Sequence, residues 1–377
     1  MKFVLFYHSL VSDWNHGNAH FLRGVCSELI ARGHRVEVYE PEGGWSRGHL
    51  VADHGQSPVR EFEWRFPRLR SRTYREETLD LDAALDGADA VIVHEWNPAE
   101  MIARIGRHRV GAGYRLLFHD THHRSVTAPR EMARYDFSNY DGVLAFGEAV
   151  RQRYVDNAWC ARAWTWHEAA DVRVFRPRAE AAGEGDLVWI GNWGDDERRC
   201  ELAEFLIEPA RALRLAARVY GVRYPAIALN ELTRAGIDYR GWLPNWRVPD
   251  VFGRFRATVH VPRTPYARDL PGIPTIPVFE ALACGLPLVS APWCDAEHLF
   301  TPGHDYLVAR DGADMQRKLR DVLNDFALAL ELATHGVRTI HARHTCGHRV
   351  KELLGILDEL HGKVPQEQTA AVTSVAA

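Results

Sequence analysis

The chain has 377 residues, which is too long for one ordinary hydrophobic core and comfortable for two domains. Hydrophobic residues make up 46% and charged residues 25%, as in globular proteins, and the net charge of -4 offers no basic field that would favour nucleic acid as a partner. No apolar run approaches the length of a membrane span. Six widely spread cysteines without a C-x-x-C pair predict reduced thiols in a cytoplasmic protein.

Short apolar runs alternate with helical patterns in the first half of the chain. They predict strands over 2–7, 35–40, 89–94, 114–119 and 141–146, with helices between them such as 18–32 and 97–108. The apolar start lacks a basic leader region, so it indicates a first strand and not a signal peptide. This alternation is typical of a parallel sheet with helices on both faces.

The second half repeats the alternation of strands and helices. Strands are predicted over 186–191, 216–221, 237–241, 257–262, 286–292 and 305–310, after a polar linker between residues 167 and 185. The sequence therefore predicts two doubly wound, Rossmann-like α/β domains, 1–170 and 171–345. A final helix over 346–361, capped by Thr345, and a disordered tail over 362–377 complete the chain. Open α/β sheets bind ligands beyond their carboxyl strand ends, so we expect the site in the cleft between the domains.

The stretch "GIPTIPVFEALACGLPLVSAP" (272–292) places one acid on an otherwise apolar helix. Thr275 is a candidate N-cap, and Pro277 is tolerated because the first helical turn needs no N–H donor there. The free N–H groups at this helix start can bind an anion such as a diphosphate. Glu280, about one turn further, can accept hydrogen bonds from sugar hydroxyls. Together they indicate a nucleotide-sugar site; the alternative is that Glu280 is a solvated residue or partners a core group.

The stretch "WIGNWGDDERR" (189–199) predicts a second anion site. A strand ends in a turn that contains Gly191, and a helix starts near Asp195, an acceptable N-cap. Arg198 or Arg199 can point back to this turn, and arginine suits bidentate phosphate contacts. The alternative is an ordinary strand–turn–helix unit with surface arginines.

The stretch "FHDTHHRS" (118–125) directly follows a predicted strand. We expect His119 and Asp120 at its carboxyl end, facing the cleft, where a histidine with a pKa near neutrality can move protons or bind substrate. The H-x-x-H-H spacing would be the alternative sign of a metal, but no helix places these residues and no carboxylate–His pair supports the spacing. No metal site is therefore predicted.

The loop after the first strand, "YHSLVSDWNHGNAHFLRG" (7–24), stands at a helix start. Asp13, His16, Gly17 and Asn18 are candidates for contact with the acceptor or with phosphate. The loop does not match G-x-G-x-x-G, so the dinucleotide-binding fingerprint fails.

Five arginines alternate with aromatic residues in "EWRFPRLRSRTYR" (63–75). This pattern could bring the chain to an anionic membrane surface as a peripheral contact. A solvated loop on the first domain is the interpretation that we favour.

These segments together resemble a GT-B glycosyltransferase. "FEALACGLPLVSAP" is similar to the "EAMACGTPVVAS"-type signature of family-4-like enzymes, "AADVRVFRP" (169–177) to their interdomain segment, and "ARGHRVEVYE" to their second strand. The "GxxPTI…FEALACG" block and the "HTC" start of the last helix bring the chain closest to the CgeB-like branch, named after a spore-maturation protein. The resemblance covers nearly the whole chain.

The resemblance implies a fold, an activity and roles for single residues. Two Rossmann-like domains would face each other across a cleft, and the last helix would cross back to the first domain. Glu280 would bind the ribose of the donor, and the loop "RGWLP" (240–244), with Trp242 and Leu243, would meet the nucleobase. His119 would be the cleft histidine near the transferred sugar. The diphosphate would lie on the backbone of Gly272, Ile273, Pro274 and Thr275, with help from Arg198.

The expected activity is a metal-independent transfer of sugar from a nucleotide-diphosphate sugar, most simply a UDP-sugar, with no further cofactor. Family-4-like enzymes usually carry a second Glu where this chain has Gly272, which leaves the sugar and the stereochemistry open. We expect retention of configuration by resemblance; with inversion, Asp120, His119 or Asp13 would be the base. The alternatives are a nucleotide-sugar epimerase of GT-B-like fold and a non-catalytic nucleotide-sugar binder.

Overall fold

The computed structural model describes residues 1–15, 17–178, 183–194 and 197–362. These residues form two separate sheets in which every strand pair is parallel. The α/β prediction with two Rossmann-like domains is therefore confirmed. We call the part built on the first sheet the first domain and the part built on the second sheet the second domain.

The first sheet has seven strands in the order β3-β2-β1-β4-β5-β6-β7. Its strands are β1 (Lys2–Phe6), β2 (Arg35–Pro41), β3 (Ser71–Tyr74), β4 (Ala90–His94), β5 (Arg115–Asp120), β6 (Gly142–Ala145) and β7 (Ala163–Thr165). Its helices are α1 (Asn18–Ala31), α2 (Trp45–His54), α3 (Ser57–Arg65), α4 (Leu81–Leu85), α5 (Ala99–Arg109), α6 (Arg124–Thr127), α7 (Pro129–Met132) and α8 (Glu148–Asp156).

The second sheet has six strands in the order β10-β9-β8-β11-β12-β13. Its strands are β8 (Gly185–Ile190), β9 (Ala217–Tyr220), β10 (Asp238–Tyr239), β11 (Phe255–His260), β12 (Leu288–Ser290) and β13 (Leu307–Val308). The helices of this half are α9 (Arg199–Leu202), α10 (Glu208–Ala212), α11 (Ala226–Arg234), α12 (Val248–Phe252), α13 (Thr264–Arg268), α14 (Ile276–Ala283), α15 (Gly312–Asn324), α16 (Phe326–Arg343) and α17 (Cys346–Leu360). A π-helical turn (Ala203–Ile207) joins α9 to α10, and a 3₁₀ turn (Asn245–Arg247) precedes α12.

Strand β1 shows why the first domain needs helices on both faces of its sheet. Phe3 and Leu5 belong to one buried cluster, and Val4 and Phe6 belong to another. Successive side chains of a strand point to opposite faces, so a strand that is apolar at every position must be covered twice. The continuous apolar run that predicted this strand is explained by that double burial.

Helix α17 packs on the first domain, although it follows the second domain in the chain. Its residues Cys346, Val350 and Leu353 lie in the same core cluster as residues of β1 and α1. The Thr345 hydroxyl accepts a hydrogen bond from the His348 backbone N–H in a capping box, which confirms the predicted cap. An isolated bridge joins Ala170 to Thr345, so the chain passes between the domains at two adjacent points.

Several elements differ from the sequence prediction. Strands β3 and β7 and helices α2 and α3 were not predicted, and residues 63–75 are not one solvated loop, because they contain the end of α3 and the edge strand β3. An edge strand with only one neighbour carries mixed polar and apolar residues and gives a weak pattern. His16, Asp195, part of the predicted linker (179–182) and the predicted tail beyond residue 362 lie outside the described residues.

The order of strands reverses beside β1 in the first sheet and beside β8 in the second. Ligands of open α/β sheets bind at the carboxyl ends of strands next to such a reversal. All six cysteines are unpaired thiols. No helix within the described residues is both long and apolar enough to cross a membrane.

Candidate active site between the two sheets

A cavity of about 670 Å³ lies between the loops that follow the carboxyl ends of the strands in both sheets. Its volume falls in the usual range for small-molecule sites. The predicted site residues that line it are Asp13, Gly17, Asn18, Gly191, Arg198, Trp242, Leu243, Thr275 and Glu280. Residues of both domains line this cavity, as expected for a site in the cleft between them.

Helix α14 points its N-terminus into this cavity. Thr275 is the N-cap, with extended backbone angles, and Thr275, Ile276 and Pro277 all line the cavity wall. The Ser290 hydroxyl donates to the Ala291 carbonyl, so it accepts from His260 Nδ1. His260 Nε2 is then the acceptor for the Thr275 hydroxyl at 3.0 Å. The threonine therefore does not cap the helix with its side chain. In the first turn, Pro277 has no N–H, and the Val278 N–H donates to the Thr275 carbonyl at 3.0 Å.

Glu280 lies one turn inside α14 and is 3% exposed. The Asp171 backbone N–H donates to His20 Nε2 at 2.8 Å, so His20 Nδ1 carries the proton and donates to Glu280 Oε1 at 3.0 Å. The second carboxyl oxygen makes no hydrogen bond within the described residues. Burial, and then the nearby Asp13 charge, raise the pKa of Glu280 to about 8. A protonated carboxyl can both donate to and accept from ligand hydroxyls.

The loop before α14 lies elsewhere than predicted. Gly272, Ile273 and Pro274 do not line the cavity. Gly272 has φ +89°, and its N–H donates to the Cys294 carbonyl at 2.7 Å. The Ile273 side chain is inserted into the first-domain core beside Gly147. The expectation that the backbone of 272–274 faces a diphosphate is wrong, because this backbone and Ile273 are used to join the two domains.

Arg198 lies at the end of the glycine-containing loop, as predicted, but its side chain is largely engaged by the protein. Its three guanidinium nitrogens donate to the backbone carbonyls of Asn192, Trp193 and Val261. Burial and the neighbouring Arg263 lower its pKa to about 10. Arg198 therefore stabilises the loop at Gly191. Only the guanidinium N–H groups that these contacts leave free can bind a ligand. Arg199 starts α9 and pairs with Glu231 at 3.2 Å, outside the cavity.

The loop after β10 closes one end of the cavity. Trp242 and Leu243 line it, as do Tyr220 and Gly221 from the end of β9. The Trp242 Nε1–H donates to Asp13 Oδ1 at 3.1 Å. A flat indole beside apolar side chains is a surface on which a nucleobase can stack.

The first-domain loop contacts the second domain directly. Both oxygens of Asp13 are occupied, because Oδ2 accepts from Arg23 at 2.8 Å and from the Asn245 backbone N–H at 3.0 Å. A Cβ on Gly17 would lie 2.4 Å from Ile276 Cγ2, so only glycine permits this approach of the loop to α14. Asn18 donates to the Thr121 hydroxyl at 2.6 Å.

His119 and Asp120 lie at the end of β5 but do not face the cavity, so that expectation is wrong. His119 Nδ1 is 2.7 Å from the Tyr7 hydroxyl, and burial lowers its pKa to about 3. Asp120 accepts from the Tyr154 hydroxyl at 2.9 Å on the opposite face of the sheet. Side chains within a strand point to its two faces, whereas residues just past its end can reach the cleft. Thr121 and His122 occupy that position.

Sequence reasoning missed several polar residues that line the cavity. Arg263 follows β11 and pairs with Glu197 at 3.0 Å, and Glu168 lies in the segment that joins the domains. The rule that carboxyl strand ends converge on the site could have found Arg263 and His122. No pattern indicated Glu168, because it follows no regular element. Within the described ranges, no group of three or more His, Cys, Asp and Glu side chains could hold a metal ion.

Comparisons with known proteins agree with this architecture. Residues 198–355 match a family model described as glycosyl transferase-like, which covers most of the second domain and α17. No match was found among curated proteins. The fold is similar to that of sucrose-phosphate synthase from Thermosynechococcus elongatus, at 13% identity and a TM-score of 0.66, over 97% of this chain and 100% of that one.

Two further structures of similar fold were solved with a nucleotide. Anabaena Alr3699/HepE in complex with UDP is 13% identical, with a TM-score of 0.67 over 95% of this chain and all of that one. T4 phage BGT in complex with UDP and Mn²⁺ is 11% identical, with a TM-score of 0.59 over 95% of this chain and 99% of that one. Identities this low show the fold, and the family match adds the class of enzyme. The protein is therefore a glycosyltransferase of the GT-B fold, with a glycosyl transferase-like domain over residues 198–355.

Proposed function

We propose that the protein transfers a sugar from a nucleoside diphosphate sugar, with UDP as the nucleotide, to an acceptor hydroxyl. The observation that carries this proposal is the pairing of two features on one cavity wall. The N-terminus of α14 offers the positive end of the helix dipole for phosphate, and the buried Glu280 one turn away offers a carboxyl for ribose hydroxyls. UDP is the nucleotide named with two of the similar structures, which supports it as the first candidate here.

The diphosphate would lie between α14 and two arginines. Arg263 keeps N–H groups beyond its ion pair with Glu197, and Arg198 keeps N–H groups beyond its three backbone contacts. Together with the helix N-terminus they supply positive charge where the leaving diphosphate gains negative charge. We therefore propose that transfer needs no metal ion. The nucleobase would stack at Trp242 and Leu243.

Transfer breaks the bond between the anomeric carbon and a diphosphate oxygen, forms a bond to the acceptor oxygen and releases the acceptor proton. We propose that configuration is retained and that the departing diphosphate takes this proton. The state of the alternative bases supports retention: Asp13 already accepts hydrogen bonds on both oxygens, and His119 and Asp120 lie behind the cavity wall. The unpaired cysteines are consistent with a cytoplasmic location, which we also propose.

A melting experiment tests the donor. UDP, GDP, ADP, dTDP, CDP and their common sugars are added to the protein, with and without Mn²⁺. A ligand that binds only the folded state raises Tm, so we expect a clear shift with UDP and UDP-sugars that does not require the metal. A shift that appears only with Mn²⁺ would contradict metal independence. The absence of a shift with every nucleotide would contradict the proposed function.

A second candidate is a nucleotide-sugar binder without transferase activity. It is favoured by Gly272, which stands where the resembled enzymes usually carry an acid. The φ of +89° at this position disfavours any side chain, and a Cβ there would lie 2.8 Å from Glu297 Cγ. Release of UDP from a UDP-sugar separates the two candidates. A donor that raises Tm but is never cleaved, with water or with a broad panel of sugar and lipid acceptors, would favour the binder.

A further inference from the structure

Glu168 is an acid in the cavity wall that has no partner. It is 4% exposed and lines the cavity. Its Oε1 atom is fully buried without a hydrogen bond, and its carboxyl makes no hydrogen bond or ion pair within the described residues. A buried carboxyl without a partner is unfavourable, and such groups in native proteins call for an explanation.

The other acids of the cavity wall are all engaged. Asp13 accepts three hydrogen bonds, Glu197 pairs with Arg263, and Glu280 accepts from His20. Glu168 is therefore the one acid among the described lining residues whose carboxyl is left entirely for something that the protein itself does not supply.

The backbone around Glu168 is fixed on both sides. Its carbonyl accepts from Arg349 Nε of α17 at 3.4 Å. On one side, His167 Nδ1 donates to the Phe146 carbonyl at 3.0 Å; on the other, the Asp171 N–H donates to His20. Because this segment is held rigidly, the Glu168 side chain has a fixed starting position, as a preorganised binding group requires.

The chemistry of the carboxyl favours hydroxyl groups as its ligand. Burial, and the nearby Glu280, raise the pKa of Glu168 to about 8, so its carboxyl is protonated at neutral pH. With only one donor, a protonated carboxyl is a poor ligand for an anion such as phosphate. A protonated carboxyl has one donor and several acceptor positions, which suits a pair of neighbouring hydroxyls on a sugar ring.

We propose that Glu168 binds the hydroxyl groups of a sugar ring of the bound donor, in the same cavity as Glu280. This inference rests on the proposed function, because it requires a nucleotide-sugar in the cavity. Two sugar rings share this chemistry, the ribose and the transferred sugar, and the experiment separates them.

The test compares the wild type with Glu168→Leu, which keeps the volume and removes the polar atoms, and with Glu168→Gln, which keeps hydrogen bonding. Binding of UDP, 2′-deoxy-UDP and UDP-glucose is measured by calorimetry. Glu168→Leu is expected to lose at least about tenfold in affinity for UDP-glucose, and Glu168→Gln to recover most of it. An unchanged UDP affinity assigns the contact to glucose; a loss for UDP but not for 2′-deoxy-UDP assigns it to ribose.

Stability separates binding from a structural role. Because the carboxyl has no partner, Glu168→Leu is expected to melt at or above the wild-type Tm without ligand. Glu37→Leu, at a buried acid of the first domain outside the cavity, is the control for binding and should bind UDP-glucose as the wild type does. Because Glu37 pairs with Lys2 and Arg35, its replacement is expected to lower Tm, unlike that of Glu168.

Three outcomes would overturn the inference. The first is wild-type affinity of Glu168→Leu for all three ligands. The second is a lowered Tm together with equal losses for all three ligands, which would indicate a structural role; if the Leu variant does not fold, Glu168→Ala is judged by the same criteria. The third is a wild type that binds no nucleotide at all, and only this third outcome also overturns the proposed function.

Discussion

Glu280 connects three parts of the molecule through one carboxyl. It stands on α14 of the second domain, accepts a hydrogen bond from His20 on α1 of the first domain, and through His20 is linked to the backbone of Asp171 in the joining segment. His20 also stacks on Phe175, with ring centroids 3.9 Å apart. The acid that would bind ribose is thus held by the contact between the domains.

Replacement of Glu280 by Ala should weaken nucleotide binding and leave His20 without its acceptor. We expect donor affinity to fall at least about tenfold, since leaving buried hydrogen-bonding groups without a partner costs about 1–3 kcal/mol. Glu280→Gln, which can still accept from His20 and bind hydroxyls, should lose much less. Calorimetry with UDP measures both variants; equal binding by Glu280→Ala and the wild type would remove Glu280 from the donor site.

The last helix, α17, packs closely against α1 of the first domain at a glycine. A Cβ on Gly24 of α1 would lie 2.4 Å from Cys346 Sγ and 2.8 Å from Asp171 Cβ. Glycine here permits a close approach of α1 to the start of α17 and to the joining segment, where the chain crosses between the domains. The requirement arises from neighbours far away in sequence.

Gly24→Ala should therefore destabilise the protein, although alanine is the better helix former. We expect a loss of about 1–3 kcal/mol from overpacking, seen in chemical denaturation. Gly355 provides the matched control, because it also lies inside a helix, α17, but a Cβ there meets nothing within 4 Å. Gly355→Ala should be stabilising by up to about 1 kcal/mol. A Gly24→Ala variant as stable as Gly355→Ala would contradict the close packing.

At the scale of the whole molecule, polar pairs hold the two domains together around the cavity. Asp13 accepts from the Trp242 side chain and from the Asn245 backbone, and Asn15 accepts from Asn192 at 2.7 Å. These contacts form because both domains place the carboxyl ends of their strands at one cleft. The same enclosure removes many titratable groups from water, which makes stability depend on pH.

Buried histidines and buried acids should give the stability of the protein a maximum near pH 6–7. Burial lowers the pKa of five histidines: His20, His119, His122, His260 and His344. The lowered pKa is about 2 for His122 and about 3 for the other four. Burial raises the pKa to about 8 in three acids: Glu95, Glu168 and Glu280.

The two groups act in opposite directions. Between about pH 6.5 and 3 the five histidines are protonated in the unfolded chain but remain neutral in the folded protein. The free energy of unfolding therefore falls as the pH falls through this window. Between about pH 4.5 and 8 the folded acids hold protons that the unfolded chain releases, so the free energy of unfolding falls as the pH rises through this window. Tm measured from pH 4 to 9 checks this. Glu168→Gln should flatten the alkaline decline, and a Tm that is constant from pH 5 to 8.5 in the wild type would contradict both effects.

The amino-acid sequence by itself determined the two-domain α/β class, most strands and the cap at Thr345. Strands buried on both faces need continuous apolar runs, and helix starts need particular residues, so both leave local patterns. The same reasoning found α14, with Glu280 one turn inside it, because helix starts and lone acids in apolar runs are local features.

Only the tertiary structure decided which residues reach the cavity. His119 and Asp120 have the right place along the chain, but the alternation of side chains in β5 turns them to the two faces of the sheet, while Thr121 and His122 reach the cleft. Glu168 has no local pattern at all, and its carboxyl lacks a partner because of how two domains and α17 meet around it. Local periodicity records burial along one element, whereas a site is made by contacts between elements that are distant in the chain.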